Sequence, residues 1–185
     1  MSKYIPILCT QLSLFLLFAS CAPTENTTLT KVDVLVLGGG TGGTAAGIQS
    51  ARLSAKTLII EPTVWLGGML TAAGVSATDG NHHMPAGIWG EFQDSLRKHY
   101  GGAEALATGW VSHTQFEPSV GANIFQQMVN GEENLEVWFK SNWQSVKYEE
   151  GTWIVEIEKE GTATTIQAKI LVDGTDLGDV AAAVG

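Results

Sequence analysis

Cysteine is scarce in this chain of 185 residues, with two copies, Cys9 and Cys21. Cys9 lies within an N-terminal targeting segment, so the mature chain keeps one cysteine and can build neither an internal disulfide framework nor a cysteine-based metal site. Positive charge is also in short supply. Ten Lys and Arg against nineteen Asp and Glu leave a net charge of −9, which offers no counter-ion field to a phosphate backbone and excludes nucleic acid as a partner. The apolar run Leu12 to Phe18 falls well below the ~20 residues of a membrane-spanning helix. Four histidines without clustered acids or cysteines provide no metal-ligand set. Glycine, in contrast, is abundant. Its 22 copies demand many points of close backbone approach or positive φ, the needs of nucleotide-binding loops and tight turns. An apolar share of 44% with 16% charged residues is ordinary globular composition, enough for one domain with a core or part of a larger one.

The chain divides into residues 1–20, 21–31 and 32–185. In the first part Lys3 is the single charge, the apolar run follows, and Ala19 and Ser20 stand directly before Cys21. This order resembles a bacterial lipoprotein signal, with Phe18 where that pattern usually has Leu. The resemblance implies an exported protein whose lipidated Cys21 anchors it to a bacterial membrane, on the periplasmic or cell-surface side. The plainer alternative is an ordinary secretory signal in which Cys21 has no role. Residues 22–31, Thr-rich with Pro23 and Asn26, read as a polar tether.

Val32-Asp33-Val34-Leu35-Val36-Leu37 is nearly all apolar and mostly β-branched, as a parallel strand buried on both faces should be. Gly38, Gly40 and Gly43 follow at G-x-G-x-x-G spacing, with Thr41 and Gly42 between them. In such a loop the first glycine makes the tight turn, the second lets backbone approach a diphosphate, and the third lets helix and strand pack closely. The next helix, with Ala45, Ala46, Ile48 and Ala51 able to face the sheet, would point its N-terminal N–H groups and positive dipole end at the phosphates. A second strand, Lys56 to Ile60, ends at Glu61. A carboxylate there can accept hydrogen bonds from both ribose hydroxyls of an adenosine.

The pattern then departs from repeated strand and helix units. Leu135 to Phe139 reads as a strand, and period-2 segments follow at Trp143–Tyr148, Trp153–Glu158 and Thr162–Ala168, punctuated by Glu149-Glu150-Gly151 and Glu160-Gly161. Ile170 to Val172 would then return to the parallel sheet. An antiparallel meander in place of a crossover helix is similar to the FAD domain of glutathione-reductase-type flavoproteins, and it disfavours a nicotinamide dehydrogenase. The expected fold is α/β, a Rossmann-like FAD-binding domain with a parallel sheet and a β-meander, incomplete at its C-terminus and carrying a helical insertion at about 84–130.

Asp173-Gly174-Thr175-Asp176-Leu177-Gly178-Asp179 resembles the second flavoprotein motif of secreted bacterial FAD-dependent oxidoreductases. The family usually has Ala where Gly174 stands, and the smaller residue should still permit close approach. Trp65-Leu66-Gly67-Gly68-Met69-Leu70 fits the segment that follows the ribose acid, and the order of motifs from 32 to 185 fits the same family. The resemblance implies FAD as cofactor, bound by Gly38, Gly40, Thr41, Gly42, Gly43, Glu61, Gly67, Gly68, Trp143, Asp173, Gly174 and Asp176, with Trp143 flanking the adenine. It implies an oxidoreductase that takes a hydride from a small organic substrate onto the flavin and passes electrons to an unidentified acceptor.

Other residues carry less. His82 and His83, in the polar stretch after Gly67-Gly68, are the candidates for a proton carrier or flavin tether near the ring, against a plainer reading as solvated loop residues. His99 belongs to a solvated helix face, and His113 has no assigned role. Asp173 and Asp176 could simply cap the helix that follows. The six tryptophans read as sheet and core packing, with a glycan-stacking platform on a non-catalytic surface lipoprotein as the alternative function. Two helices, near Ile88–Tyr100 and Ser119–Val129, provide at most one wall of a substrate cavity, so the reading is of the N-terminal FAD-binding part of a longer enzyme, inactive alone.

Overall fold

An apolar strand buried on both faces needs a layer on each side, and the alternation of side chains along the central strands assigns each layer its partners. The computed structural model describes residues 29–185; the targeting segment, Cys21 and the tether through Thr28 lie outside the described residues. In chain order the elements are β1 (Leu29–Leu37), α1 (Thr41–Arg52), β2 (Thr57–Glu61), a 3-10 turn (Gly68–Leu70), β3 (Ala77–Thr78), α2 (Gly87–Tyr100), β4 (Thr114–Gln115), α3 (Pro118–Asn130), β5 (Leu135–Phe139), β6 (Ser141–Glu149), β7 (Thr152–Lys159), β8 (Thr162–Asp173) and α4 (Asp179–Val184). Six strands form one sheet in the order β5-β2-β1-β8-β7-β6. The β5, β2, β1 and β8 neighbours are parallel, while β8, β7 and β6 are antiparallel.

Val34 and Val36 of β1 and Ile59 of β2 face the helices, where they meet Ile48, Phe92, Leu96, Ile124 and Phe125. Leu35, Leu37, Leu58 and Ile60 point the other way, into a cluster with Val155, Ile157 and Ile166 of the meander. Neither face of β1 or β2 is left for water, which is why both read as unbroken apolar runs. The hairpins turn at Glu150-Gly151 and Glu160-Gly161, each pair with positive φ at both residues, the backbone that a two-residue turn between twisted strands requires.

Three expectations need correction. First, β1 starts at Leu29 and pairs with β8 through Leu29↔Thr165, Thr30↔Ile166 and Lys31↔Gln167, so residues 29–31 belong to the sheet and the domain begins before Val32. A long partner strand, invisible to local composition, draws these polar residues in. Second, Thr162–Ala168 and Ile170–Val172 are one strand. Its first half closes the meander against β7 and Thr165 to Asp173 run beside β1. Third, the face α1 buries is Gly43, Thr44, Gly47, Ile48 and Ala51, with Ala45 and Ala46 half-buried at its margin. A Cβ on Gly47 would come within 2.5 Å of Ile59 Cδ1, so the helix lies closer to the sheet than alanines would permit.

The insertion covers the helical face of the sheet. The aromatic rings of Phe92 and Phe125 stack at 4.4 Å and Phe116 packs edge-on to Phe92 at 5.4 Å. Pro118 opens α3 at a position where its missing N–H costs nothing. Arg52 at the end of α1 ties this layer down, pairing with Glu91 of α2 and with Glu132 beyond α3, both at 2.7 Å.

Candidate cofactor site

The site grows from the point where three chain segments touch without side chains between them. Gly38 turns out of β1 with φ 97°, and a Cβ there would sit 2.6 Å from the carbonyl carbon and oxygen of Gly174. A Cβ on Gly43, or on Gly174, would land on the Gly38 carbonyl oxygen. The ends of β1 and β8 and the start of α1 therefore lock into one backbone knot, stitched by hydrogen bonds from Gly38 N to Ile60 O (2.9 Å) and from Gly174 N to Leu37 O (2.8 Å). Gly174 is thus a required residue here. The smaller residue permits the close approach expected of it, because the space of a methyl is already taken by Gly38 O.

Gly40 caps α1, and no side chain caps the helix. Its first-turn N–H groups are thus left to a ligand, and with the helix dipole they favour an anion. The Asp176 carboxylate hangs over this turn, 3.0 Å from a Cβ built on Gly40 and 3.5 Å from one on Gly68. Gly68 itself has φ 48°, and its would-be Cβ lies 2.9 Å from Gly40 Cα. Two glycine turns and one acid so define a slot that backbone, and not side chains, walls in.

Glu61 ends β2 and is 5% exposed. Its Oε2 accepts the Gly39 N–H and its Oε1 the Thr63 N–H, both at 2.8 Å. The carboxylate therefore holds the glycine turn in place, and each oxygen retains a lone pair for a ribose hydroxyl. Gly39, the unspecified position of the spacing pattern, is as constrained as its neighbours. A Cβ on it would meet Leu66 at 2.6 Å and Glu61 at 2.8 Å. Sequence reading missed it, although its place beside an acid-tipped strand was the available signal.

A cavity of about 550 Å³ runs from Gly40, Gly68, Gly174 and Asp176 past Glu61 and Thr63 to Ser141, Asn142 and Trp143. Trp143 is among the residues that line it. A second chamber of about 470 Å³ opens on the other side of Asp176, lined by Thr41, Met69, Leu70, Asp79, Asn81, Met84 and Trp89 among others. Trp89 donates its Nε1–H to Asn81 O at 3.1 Å.

Several residues expected at the site stand elsewhere. Gly42 is exposed and lines neither space, with nothing within 4 Å of its would-be Cβ. Gly43 is buried under the turn. Gly67 (φ 103°) packs on the ring of Phe125. Asp173 points into its own motif, accepting the Thr175 hydroxyl at 2.6 Å, the Thr175 N–H at 3.0 Å and the Ala181 N–H at 2.9 Å. Burial pushes its carboxyl upward, but the Thr175 hydroxyl and the N–H groups of Ala181, Thr175 and Val180 outweigh that and hold it below the ordinary value. Asp173 is thus a brace for the loop that carries Gly174 and Asp176.

His82 and His83 line neither the cradle nor the chamber. They form a separate pocket with Arg97, Glu104 and His113, so His113, which looked isolated in sequence, joins them. Among the described residues no group of three or more His, Cys, Asp or Glu side chains is placed to hold a metal ion. The tryptophans do not gather into a platform. Trp138, Trp143 and Trp153 pack on the meander core, while Trp110 stands fully exposed, far along the chain from the half-exposed Trp65.

A parallel sheet with a glycine turn at the head of α1, an acid at the tip of β2 and a meander over the opposite face defines the class, a dinucleotide-binding domain of the Rossmann-like flavoprotein kind. The family model described as FAD dependent oxidoreductase matches residues 33–185, and the chain belongs to that family, with FAD as its cofactor. Solved structures share the fold. The p-nitrophenol 4-monooxygenase of Pseudomonas putida matches with a TM-score of 0.61 and 14% identity over 84% of this chain and 44% of its own. The rebeccamycin biosynthetic enzyme RebC, solved with reduced flavin, gives 0.60 and 17% over 83% and 35%. A flavoprotein/dehydrogenase of Cytophaga hutchinsonii gives 0.59 and 16% over 81% and 40%. The chain spans less than half the length of each. The fit to FAD is physical as well as familial, because the uncapped helix, the glycine slot and the Glu61 lone pairs present an anion site and a diol site along one cavity.

Proposed function

We propose that this chain forms the cofactor-holding part of an oxidoreductase that withdraws a hydride from a small organic donor and delivers electrons to a separate acceptor. Bound FAD supplies the two-electron chemistry; the residues of this chain bind, orient and shield it. Gly40 and Gly68 bring bare backbone to the diphosphate, the first turn of α1 faces its charge, Glu61 takes the ribose hydroxyls, and Trp143 flanks the adenine. The chamber beyond Asp176, walled by Met69, Met84 and Trp89 together with Thr41, Asp79 and Asn81, is the space for the reactive end. A second region that closes over this chamber and positions the donor completes the enzyme. We further propose that export and lipidation at Cys21 fix the domain to a membrane surface.

The reading rests on one observation, the backbone knot of Gly38, Gly43 and Gly174 beneath an uncapped helix. Gly40→Val tests it. The new side chain would meet the flexible Asp176 carboxylate and the Gly174 carbonyl, at 3.0 and 3.3 Å from its Cβ, and so project into the slot without dissolving the knot. The purified full chain should carry yellow FAD, and the variant should lose it while keeping its far-UV circular dichroism. Undiminished flavin retention in folded Gly40→Val would overturn the assignment.

A further inference from the structure

The pocket behind the chamber wall is built of imidazoles in contact. The His82 ring lies 4.1 Å from that of His83 and 4.3 Å from that of His113, centroid to centroid. His82 Nδ1 has no exposed surface and no hydrogen-bond partner. From α2, Arg97 closes one side, its Nη2 donating to His82 O at 3.2 Å while its Nη1 pairs with Asp94 at 2.9 Å. Glu104, in the loop after α2, lines the same pocket of about 390 Å³, as does Thr114 from β4. The charged and titratable groups around His82 are therefore His83, His113, Arg97 and Glu104, with Asp94 already engaged by Arg97.

The same short segment has a second face. Asp79, Gly80, Asn81 and Met84 wall the chamber that opens from Asp176, and Asn81 O holds the Trp89 indole. Asn81 adopts φ 51°, a left-handed backbone that costs energy outside glycine and persists where neighbours enforce it. On its outer side the segment packs through three touching imidazole rings, with Arg97 bonded to His82 O.

We propose that His82, His83 and His113 form a proton-operated latch, which holds the Asp79–Met84 segment against the chamber at neutral pH and releases it in mild acid. His83 and His113 are exposed, and a proton on each places positive charge beside His82. Two imidazolium charges then flank His82 beside the Arg97 guanidinium, with Glu104 as the one unengaged carboxylate in the pocket to offset them. Burial, and then the neighbouring His83 and His113, hold the His82 imidazole below its ordinary value, so the closed segment resists the proton that the open one accepts. The closed form is therefore fully favoured above about pH 6.5 and loses ground as pH falls below it. That the segment's release loosens the reactive end of the cofactor rests on the function proposed above; the release itself does not.

Hydrogen exchange of the full chain, corrected for intrinsic rates and compared between about pH 7.5 and about pH 5.5, reads the latch directly. Protection of residues 79–84 should fall in acid, as a His82 imidazole held below its ordinary value in the closed segment requires. It should fall less in the variant His83→Gln/His113→Gln, which removes the two neighbouring imidazoles and leaves His82 itself in place. Flavin absorbance after desalting at each pH is measured in parallel. Equal protection of the wild-type segment at both pH values, or an unchanged acid loss in the double variant, would sink the latch. A chain colourless at every pH would instead sink the function while leaving the exchange result to decide the latch.

Discussion

The cradle and the chamber wall meet at Asp176 and are built by opposite means. On the cradle side, position is set by backbone against backbone. Gly38, Gly39, Gly43 and Gly174 leave no room for a methyl group, and Glu61 clamps the turn with both oxygens. On the chamber side, the wall is a loop of side chains: exposed Met69 and Met84, an indole held by one carbonyl, a strained Asn81 and a histidine nitrogen with no partner. The difference follows from what each must recognise. A diphosphate and a ribose are the same in every FAD, so a rigid frame suits them, whereas a donor varies and calls for a surface that substitution can reshape.

If the cradle is truly without slack, its glycines should divide sharply by contact. Gly174→Ala should be strongly damaging, and since φ at this position is not left-handed the penalty is the clash with Gly38 O and Gly43 Cα. We expect a loss of about 3 kcal/mol in unfolding free energy, at the upper end for overpacking, together with loss of bound flavin. Gly42→Ala, one residue from the same turn but open on all sides, should instead stabilise α1 by roughly 0.5–1 kcal/mol and leave flavin in place. Equal effects from the two substitutions, measured by denaturant unfolding, would erase the distinction between frame and surroundings.

The same division governs what could be read from the sequence. The frame was legible because its requirements are local and chemical. An apolar run buried on both faces, glycines at fixed spacing and an acid at a strand tip all leave marks along a few residues, and the meander announced itself through period-2 segments and Glu-Gly turns. Contacts across the fold left no such mark. Nothing near Gly174 shows that Gly38 O occupies the space of its missing methyl, nothing near Leu29 shows the long partner strand that orders it, and His113 is far along the chain from His82 in a loop without pattern. Asp173 and Gly67 were read as ligand contacts because the motif places them near the cofactor, but the Asp173 carboxylate bonds within its own loop and Gly67 packs on Phe125.

Asp173 tests whether the support is separable from the site. Asp173→Asn removes one acceptor oxygen and sets an amide against the Ala181 N–H, at an expected cost of about 1–2 kcal/mol. The acid limb of the stability curve identifies the cause. A carboxyl held below its ordinary 3.8 in the folded chain binds fewer protons there than when unfolded, so its contribution is complete above that value and disappears as pH falls through the folded one. The wild type should lose stability more steeply than Asp173→Asn in that window, and the two curves should converge below it. Parallel curves would mean that the brace acts through packing and not through its charge.

The smallest effect should come from the tie between the two regions. Arg52 reaches from the cradle's helix to Glu91 and Glu132 of the covering layer, but Arg52 and Glu91 remain partly open to water, at 30% and 47% side-chain exposure. Pairs so exposed contribute little, because solvent screens the attraction and ordering long side chains opposes it. Arg52→Gln should cost at most about 1 kcal/mol at low salt, and less near ~1 M salt, where the screening length shrinks to about 3 Å. Flavin affinity should not change, since no part of the frame moves when the clamp is cut. A fall in affinity on the order of tenfold, about 1.4 kcal/mol, would exceed what the clamp contributes to stability. It would show that the covering layer sets the geometry of the glycine turn through α1, and the contrast between a self-sufficient frame and an adaptable wall would have to be abandoned.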